Sequence, residues 1–372
     1  VDYSELIGIS CSAEEGYVQH IEERSHLRPH PASTTFLLFV PASVMTASMT
    51  STDNTELTIS CHQEWIWNAF AEAHVAFITT KSRDRACEWS LSRHIDLWPL
   101  DDVRCGDALW CTPDFLTAQN ARMSSHGLTP LRMLTPQKDW PTRLGRELLG
   151  RSAVESTVGA VLNWGSYDDS GLADSTAPGG CAPWSQLVNG RVPDFPAAQR
   201  DLPVLQQALA HAPADSHILV STHVPDIAEE WMVVVHRGCA IAAQGYCIHQ
   251  PVGSRNIISV FDGAAFTEDN IEHAMQLAEA GAKRLDIDSV VMNIAFRSDS
   301  RALVLEALPT WCTPLYAYPA QATGQLLQAI ADCSLPDEFN PAESSAGGDE
   351  TDSQVFQPDS WMKRCYASRF AN

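Results

Sequence analysis

The sequence predicts an α+β fold: a small N-terminal α/β layer followed by a larger layer of antiparallel strands with a helix on one side. Three observations carry this. An apolar run, an aromatic-rich helical pattern and a second apolar run follow one another between residues 36 and 80. Three strand-like runs then lie between 217 and 248, the last two separated only by Arg237 and Gly238, the length of a two-residue hairpin turn. Finally, residues 267–285 have helical periodicity and are followed by two further strand-like runs. At 372 residues, 45% hydrophobic and 19% charged, the chain is long and apolar enough to bury two cores.

The elements follow in chain order. FLLFVP at 36–41 reads as a strand; the surrounding apolar stretch, 35–49, is broken by Pro41 and falls short of the roughly 20 residues a membrane helix needs. EWIWNAFAEAH at 64–74 reads as a helix and HVAFITT at 74–80 as a strand. Trp65, Trp67, Trp98 and Trp110 are expected to pack in this first layer. Pro113 and Asp114 open a helical pattern that Gly127 can close in the left-handed conformation. HILVSTHV at 217–224, EWMVVVHRG at 230–238 and CAIAAQGYCI at 239–248 read as strands. In the helix at 267–285, Thr267 is the expected cap, Glu268 and Asp269 fill the first turn, and Lys283 and Arg284 the last. SVVMNIAF at 289–296 and RALVLEAL at 301–308 form two more strands joined by RSDS. The expected division is an N-terminal α/β domain and linker at 1–150, an antiparallel-sheet domain at 151–332 and an acidic tail at 333–372. Between 337 and 359 the tail holds seven carboxylates and no basic residue, a composition that by itself predicts a solvated, mobile tail and stays ordered when something holds it, most simply a partner protein against VFQPDSWM at 355–362.

Charge and cysteine content bound the function. With 24 basic and 46 acidic residues the net charge is −22, which opposes nucleic-acid backbones and anionic membrane surfaces. Only Lys81, Lys138, Lys283 and Lys363 are lysines, so none lies between 139 and 282. Eleven cysteines, an odd number without a CxxC pair, read as reduced and partly buried thiols; the expected location is a reducing intracellular compartment, cytoplasm or organellar matrix. The chain starts at Val1, which fits a removed leading segment or a trimmed end.

No GxGxxG after a strand, GxxxxGK[ST], GxSxG or HExxH occurs. Cys61 with His62, His26 with His30, and the pairs Asp168–Asp169 and Asp286–Asp288 read as surface or turn groups before they read as ligands. The glycine-, serine- and aspartate-rich segment 165–180 reads as a surface insertion, because its aspartates would repel a phosphate. The informative stretches are VVMNIAF at 290–296 and VLEALPTWCTPLYAY at 304–318. Adjacent strands with a polar residue late in each apolar run would set Asn293 beside Glu306, oxygen ligands of the kind that hold magnesium on a nucleotide's phosphates. A purely structural alternative has Glu306 bonded to backbone, Arg297 or Arg301.

These residues resemble the ATP-grasp superfamily, in particular bacterial and viral members carrying SEPV…EWRVFV, YVLDV and VVELN…GLY. STHVPDIAEEWMVVV at 221–235, VVMNIA at 290–295 and 304–318 keep that order and spacing. PWSQLVNGRVPDFPA at 183–197 is similar to the family's FVKLADGKVPDFPA, and 128–159 to its linker. The resemblance covers roughly residues 105–320 and implies an ATP-dependent ligase that activates a carboxylate as an acyl phosphate for attack by an amine, with ATP and magnesium as cofactors.

The resemblance also implies where the nucleotide positions fall, and there the chain departs from the pattern. Gln186 stands where the strand lysine would be, Met232 replaces the arginine that follows the Glu230–Trp231 pair, Asn293 replaces an aspartate metal ligand and Leu308 an asparagine. Glu306, and Arg191 at the second basic position, match. Each lost electrostatic contact to a transition state typically costs about 2.7–4 kcal/mol. The leading expectation is therefore a catalytically inactive ATP-grasp-like protein, without cofactor, acting as a structural subunit of a protein assembly. The alternatives are an active ligase in which Arg143, Arg146, Arg151 and Arg191 take the phosphates and Glu306 the metal, and a nucleotide-binding regulator without turnover.

Overall fold

The computed structural model describes residues 55–80, 89–96, 98–172, 181–188, 190, 192–249, 258–259, 266–314, 318, 320–335 and 354–367. The strand expected at 36–41 and the His26–His30 pair lie outside these. Residues 55–372 cluster as one compact unit.

The first layer is a parallel sheet. Strand β1 (Thr55–Ser60) lies between β2 (Trp89–His94) and β3 (Ala108–Trp110), with Leu57 opposite both Leu91 and Ala108. Helix α1 runs Glu64–Thr80, so the segment 74–80, read above as a strand, is its continuation. The buried residues Ile66, Phe70, Ala73 and Phe77 recur at steps of four, three and four, a helical stripe that outweighs the β-branched composition of the last turns. Trp110 is buried against Phe70, whereas Trp65 and Trp98 are 48% and 64% exposed, contrary to the expectation that they pack inside. Helix α2 (Pro113–Ser125) ends as expected, with Gly127 at φ +71°.

After β4 (Arg132–Met133) and α3 (Trp140–Leu149) come two antiparallel sheets. The smaller has the order β5 (Ala153–Thr157), β8 (His217–Ser221), β6 (Trp184–Leu187), β7 (Ala198–Gln199), with α4 (Leu202–Leu209) between β7 and β8. The larger has the order β11 (Ile258–Ser259), β10 (Cys239–Ile248), β9 (Ile227–His236), β12 (Ser289–Arg297), β13 (Ala302–Leu308). Arg237 and Gly238 join β9 to β10 at φ +52° and +75°, the double left-handed geometry of the tight turn expected there.

Helix α5 (Asp269–Leu285) covers one face of the larger sheet. Its Ala274, Ala278, Ala282 and Leu285 pack on Trp231, Val233, Val235, Met292, Ile294 and Phe296. Small helix residues allow close approach: a Cβ on Gly281 would stand 3.1 Å from Met292 Cε. Fully burying each large side chain contributes roughly 1.5–3 kcal/mol, which makes this interface a substantial apolar core. Thr267 does not cap the helix; Glu268 is its N-cap residue, and Thr267 donates instead to Glu229 of β9.

Helix α6 (Ala320–Ala331) packs on α1, and β14 (Ser334–Leu335) pairs with β4. Residues 354–367 correct the reading of the tail. Val355 bridges Leu134, Phe356 N–H donates to the Met133 carbonyl at 2.8 Å, and Phe356 meets Trp311 edge-on. Asp359 accepts from the Trp361 and His217 amides, and Trp361 lies 5.4 Å from Phe195. The apolar side chains that seemed to call for a partner protein are thus buried against their own chain. No helix among the described residues is long and apolar enough to cross a membrane.

Candidate functional site

The face of the larger sheet opposite α5 carries the polar residues. Strand alternation puts Val233 and Met292 toward the helix and Met232 and Asn293 away from it. Met232, Asn293 and Glu306 then form one row across β9, β12 and β13, because Asn293 is in register with both of the others. The next pair on β12 and β13 is Ile294 with Val304, so Leu305 is the extra residue of a bulge. Arg151, only 8% exposed, forks onto that bulge, donating to the Val304 carbonyl at 3.0 Å and the Leu305 carbonyl at 2.5 Å. Both terminal nitrogens are committed to backbone carbonyls at the bulge.

Gln186 reaches the row from β6 of the smaller sheet. Its Nε2 donates to Glu306 Oε1 at 3.2 Å, and Asn293 Nδ2 donates to Oε2 at 3.4 Å. The Glu306 carboxylate therefore accepts one neutral amide from each sheet, with Arg151 as the nearby charge. Burial pulls the Arg151 guanidinium down to about 10, and attraction to Glu306 opposes that shift. Asn293 Oδ1 is buried without a hydrogen-bond partner. The structural alternative named Arg297 or Arg301 as the partner of Glu306; both instead approach Asp299, at 3.6 Å.

Glu230, two residues before Met232, is 1% exposed and faces the same side. It sits opposite Cys247 on β10, where the register jumps from Gly245–Trp231 to Cys247–Glu230. Tyr246 is the extra residue of this second bulge, which lets both it and Cys247 reach one carboxylate. Tyr246 Oη donates to Glu230 Oε2, His249 Nε2 lies 2.6 Å from Oε1, and Cys247 Sγ lies 3.6 Å from the same Nε2. Gly245 is required beside the bulge, since a Cβ there would collide with the Phe266 ring. Glu229, 8% exposed, serves a different purpose. It accepts from the Thr267 amide and hydroxyl, Asn270 Nδ2 and Trp231 Nε1, anchoring the start of α5. Burial opposes its charge, but these donors outweigh the burial and hold its carboxyl below the usual range.

Of the residues singled out from sequence, Gln186, Met232, Asn293 and Glu306 come together, Glu230 forms the neighbouring cluster, and Arg191 lies outside the described residues. Arg143 pairs with Asp139 at 3.1 Å and Arg146 is exposed, so among these Arg151 alone is brought to the row. Asp169 caps a surface turn through the Gly165 and Ser166 amides, and Asp286 ends α5 at φ +53°. Sequence reasoning missed Arg151 as a clamp and Tyr246, Cys247 and His249 as one cluster. The i, i+2 spacing of Cys247 and His249 in a strand was the available signal; the bulge that adds Tyr246 had none.

No family model and no curated protein matches the chain. Solved structures similar to it include the D-alanine–D-alanine ligase from Bacillus anthracis, at 10% identity and a TM-score of 0.44, covering 75% of this chain and 97% of that one. The D-cycloserine synthetase DcsG is 15% identical with a TM-score of 0.45, covering 74% and 99%. The ADP complex of N5-carboxyaminoimidazole ribonucleotide synthetase is 14% identical with a TM-score of 0.41, covering 76% and 78%.

Proposed function

We propose that this chain is an ATP-grasp-like protein whose nucleotide position has become a structural joint, and that it works as a non-catalytic subunit of a protein assembly. The observation that carries the reading is the 3.2 Å bond from Gln186 to Glu306. At the place where the resembled family would present a strand lysine to phosphate, a neutral amide is bonded to the carboxylate that would hold the metal. Met232 is buried where a cation would be needed, and Arg151 is spent on the carbonyls of the bulge. Magnesium-ATP does not fit this donor set: two oxygen ligands are at hand, but no lysine lies between 139 and 282 and no arginine fork is free among the described side chains of the row. In this reading 1–150 is the leading α/β domain with its linker, 151–332 the grasp itself and 333–372 the acidic tail, of which Val355, Phe356, Trp361 and Met362 are buried. The exposed Trp65 and Trp98 are the side chains a partner would cover.

Titration calorimetry with magnesium and ATP tests this. The expected result is no binding at millimolar nucleotide, for the natural chain and for Glu306→Ala alike. Micromolar binding that Glu306→Ala abolishes would overturn the joint; ADP release with an amine pool would establish a ligase, and binding without turnover a regulator. The ligase reading has one observation in its favour, the unpartnered Asn293 Oδ1 beside Glu306. The assembly is tested by co-purification: Trp98→Ser, with the fold intact, should lose partners that the natural chain retains, and equal recovery argues against that surface.

A further inference from the structure

We propose that Glu230, Cys247 and His249 form a zinc site, separate from the Gln186–Glu306 joint and independent of the reading given for it. One ligand atom from each of the three lies within 4.8 Å of the other two. Carboxylate, thiol and imidazole together form a donor set suited to a borderline-soft divalent ion and unsuited to magnesium or calcium, which take oxygen.

The geometry favours an ion over the obvious competitor, a Cys–His–Glu catalytic relay. A relay needs the two imidazole nitrogens to serve different partners, the base facing the thiol and the other nitrogen held by the carboxylate. Here Glu230 and Cys247 both approach the same atom, His249 Nε2, at 2.6 and 3.6 Å. Ligands at about 2.0–2.3 Å from a tetrahedral zinc stand about 3.3–3.8 Å apart. The sulfur–nitrogen separation already meets that spacing. The oxygen–nitrogen separation is a hydrogen bond, and opening it by about 0.7 Å, with the proton leaving Nε2, makes room for the ion.

Charge balance points the same way. Glu230 and Cys247 are each 1% exposed. A carboxylate and a thiolate buried together would repel, whereas with a divalent cation they make a neutral site. Binding therefore releases the Cys247 proton to solvent and leaves His249 neutral, protonated on Nδ1. Tyr246 Oη, already on Glu230 Oε2, fixes which carboxylate oxygen faces the ion. Three protein ligands leave the fourth position for water or another group.

The test uses the purified full chain, stripped with chelator and titrated with zinc and with cobalt(II). The expected results are one tightly held zinc per chain and, with cobalt, a near-ultraviolet thiolate-to-metal band. Cys247→Ser and His249→Gln should each weaken metal binding at least tenfold, with Cys247→Ser also removing the band. Tyr246→Phe should weaken binding less, and Cys239→Ser, at an exposed thiol on the same strand, should change nothing. Should the ligand variants fail to fold, the natural chain alone provides the readout: zinc added to the cobalt-loaded protein should displace the thiolate-to-metal band at one equivalent. Absence of stoichiometric zinc, a cobalt spectrum without the thiolate band, unchanged affinity in the ligand variants, or a cobalt band that zinc does not displace overturns the proposal.

Discussion

The two faces of the five-stranded sheet use the same strands to different ends. Toward α5 the residues are apolar and interlocked, and the acid on that side, Glu229, is surrounded by donors from the helix start. On the opposite face Asn293, Glu306 and the cluster around Glu230 are polar groups held by a few long or shared contacts. Glu229 and Glu230 are chain neighbours, both buried, yet strand alternation assigns one to a helix anchor and the other to a ligand-rich cluster. Burial of a carboxylate therefore says little by itself; the identity of its donors decides its role.

Four changes test this contrast, the largest effect first. Phe296→Ala empties the helix-facing core, where the side chain is 2% exposed, and should cost about 3–5 kcal/mol in denaturant unfolding. Glu229→Ala leaves donors of Thr267, Asn270 and Trp231 unpaired and should cost about 2–3 kcal/mol. It should also change the acid limb of stability. Because the folded-state pKa is depressed, the ionised Glu229 stabilises the fold above the unfolded carboxylate range, and that contribution is lost as pH falls through the folded value. Glu229→Ala should thus flatten acid unfolding followed by circular dichroism.

On the other face, Glu306→Gln should cost only about 1 kcal/mol, since it exchanges a carboxylate for an amide among amides while Arg151 keeps its carbonyl partners. A loss as large as that of Glu229→Ala would erase the distinction between the faces. Arg237→Gly, at the turn where β9 becomes β10, should fall within about 0.5 kcal/mol of zero in thermal unfolding. Relief of its left-handed backbone is offset by loss of the exposed pair with Asp332.

Much of the larger sheet was legible. The hairpin at 237–238, the helix ending at Leu285 and the juxtaposition of Asn293 with Glu306 all follow from local pattern, because strand alternation and turn chemistry act over a few residues. The first layer was read less well. Its character was right, but TELTIS, WSLSRH and ALW, the strands that form it, are short and polar enough to look like loops, while 74–80 looked like a strand until its contacts made it helix. The apolar anchors at the tail's far end, Val355, Phe356, Trp361 and Met362, were not legible because composition reports an average and not where single side chains are buried.

Alone, the sequence determined the antiparallel sheet with its helix, the four-lysine inventory, and the juxtaposition of Asn293 with Glu306. Which donor reaches Glu306, where Arg151 is spent, and that Tyr246, Cys247 and His249 converge on Glu230 were decided only by the tertiary structure. The reason is physical. Alternation along a strand is local and fixes which face a residue takes, whereas a bulge and the meeting of two sheets depend on contacts between residues up to 154 positions apart.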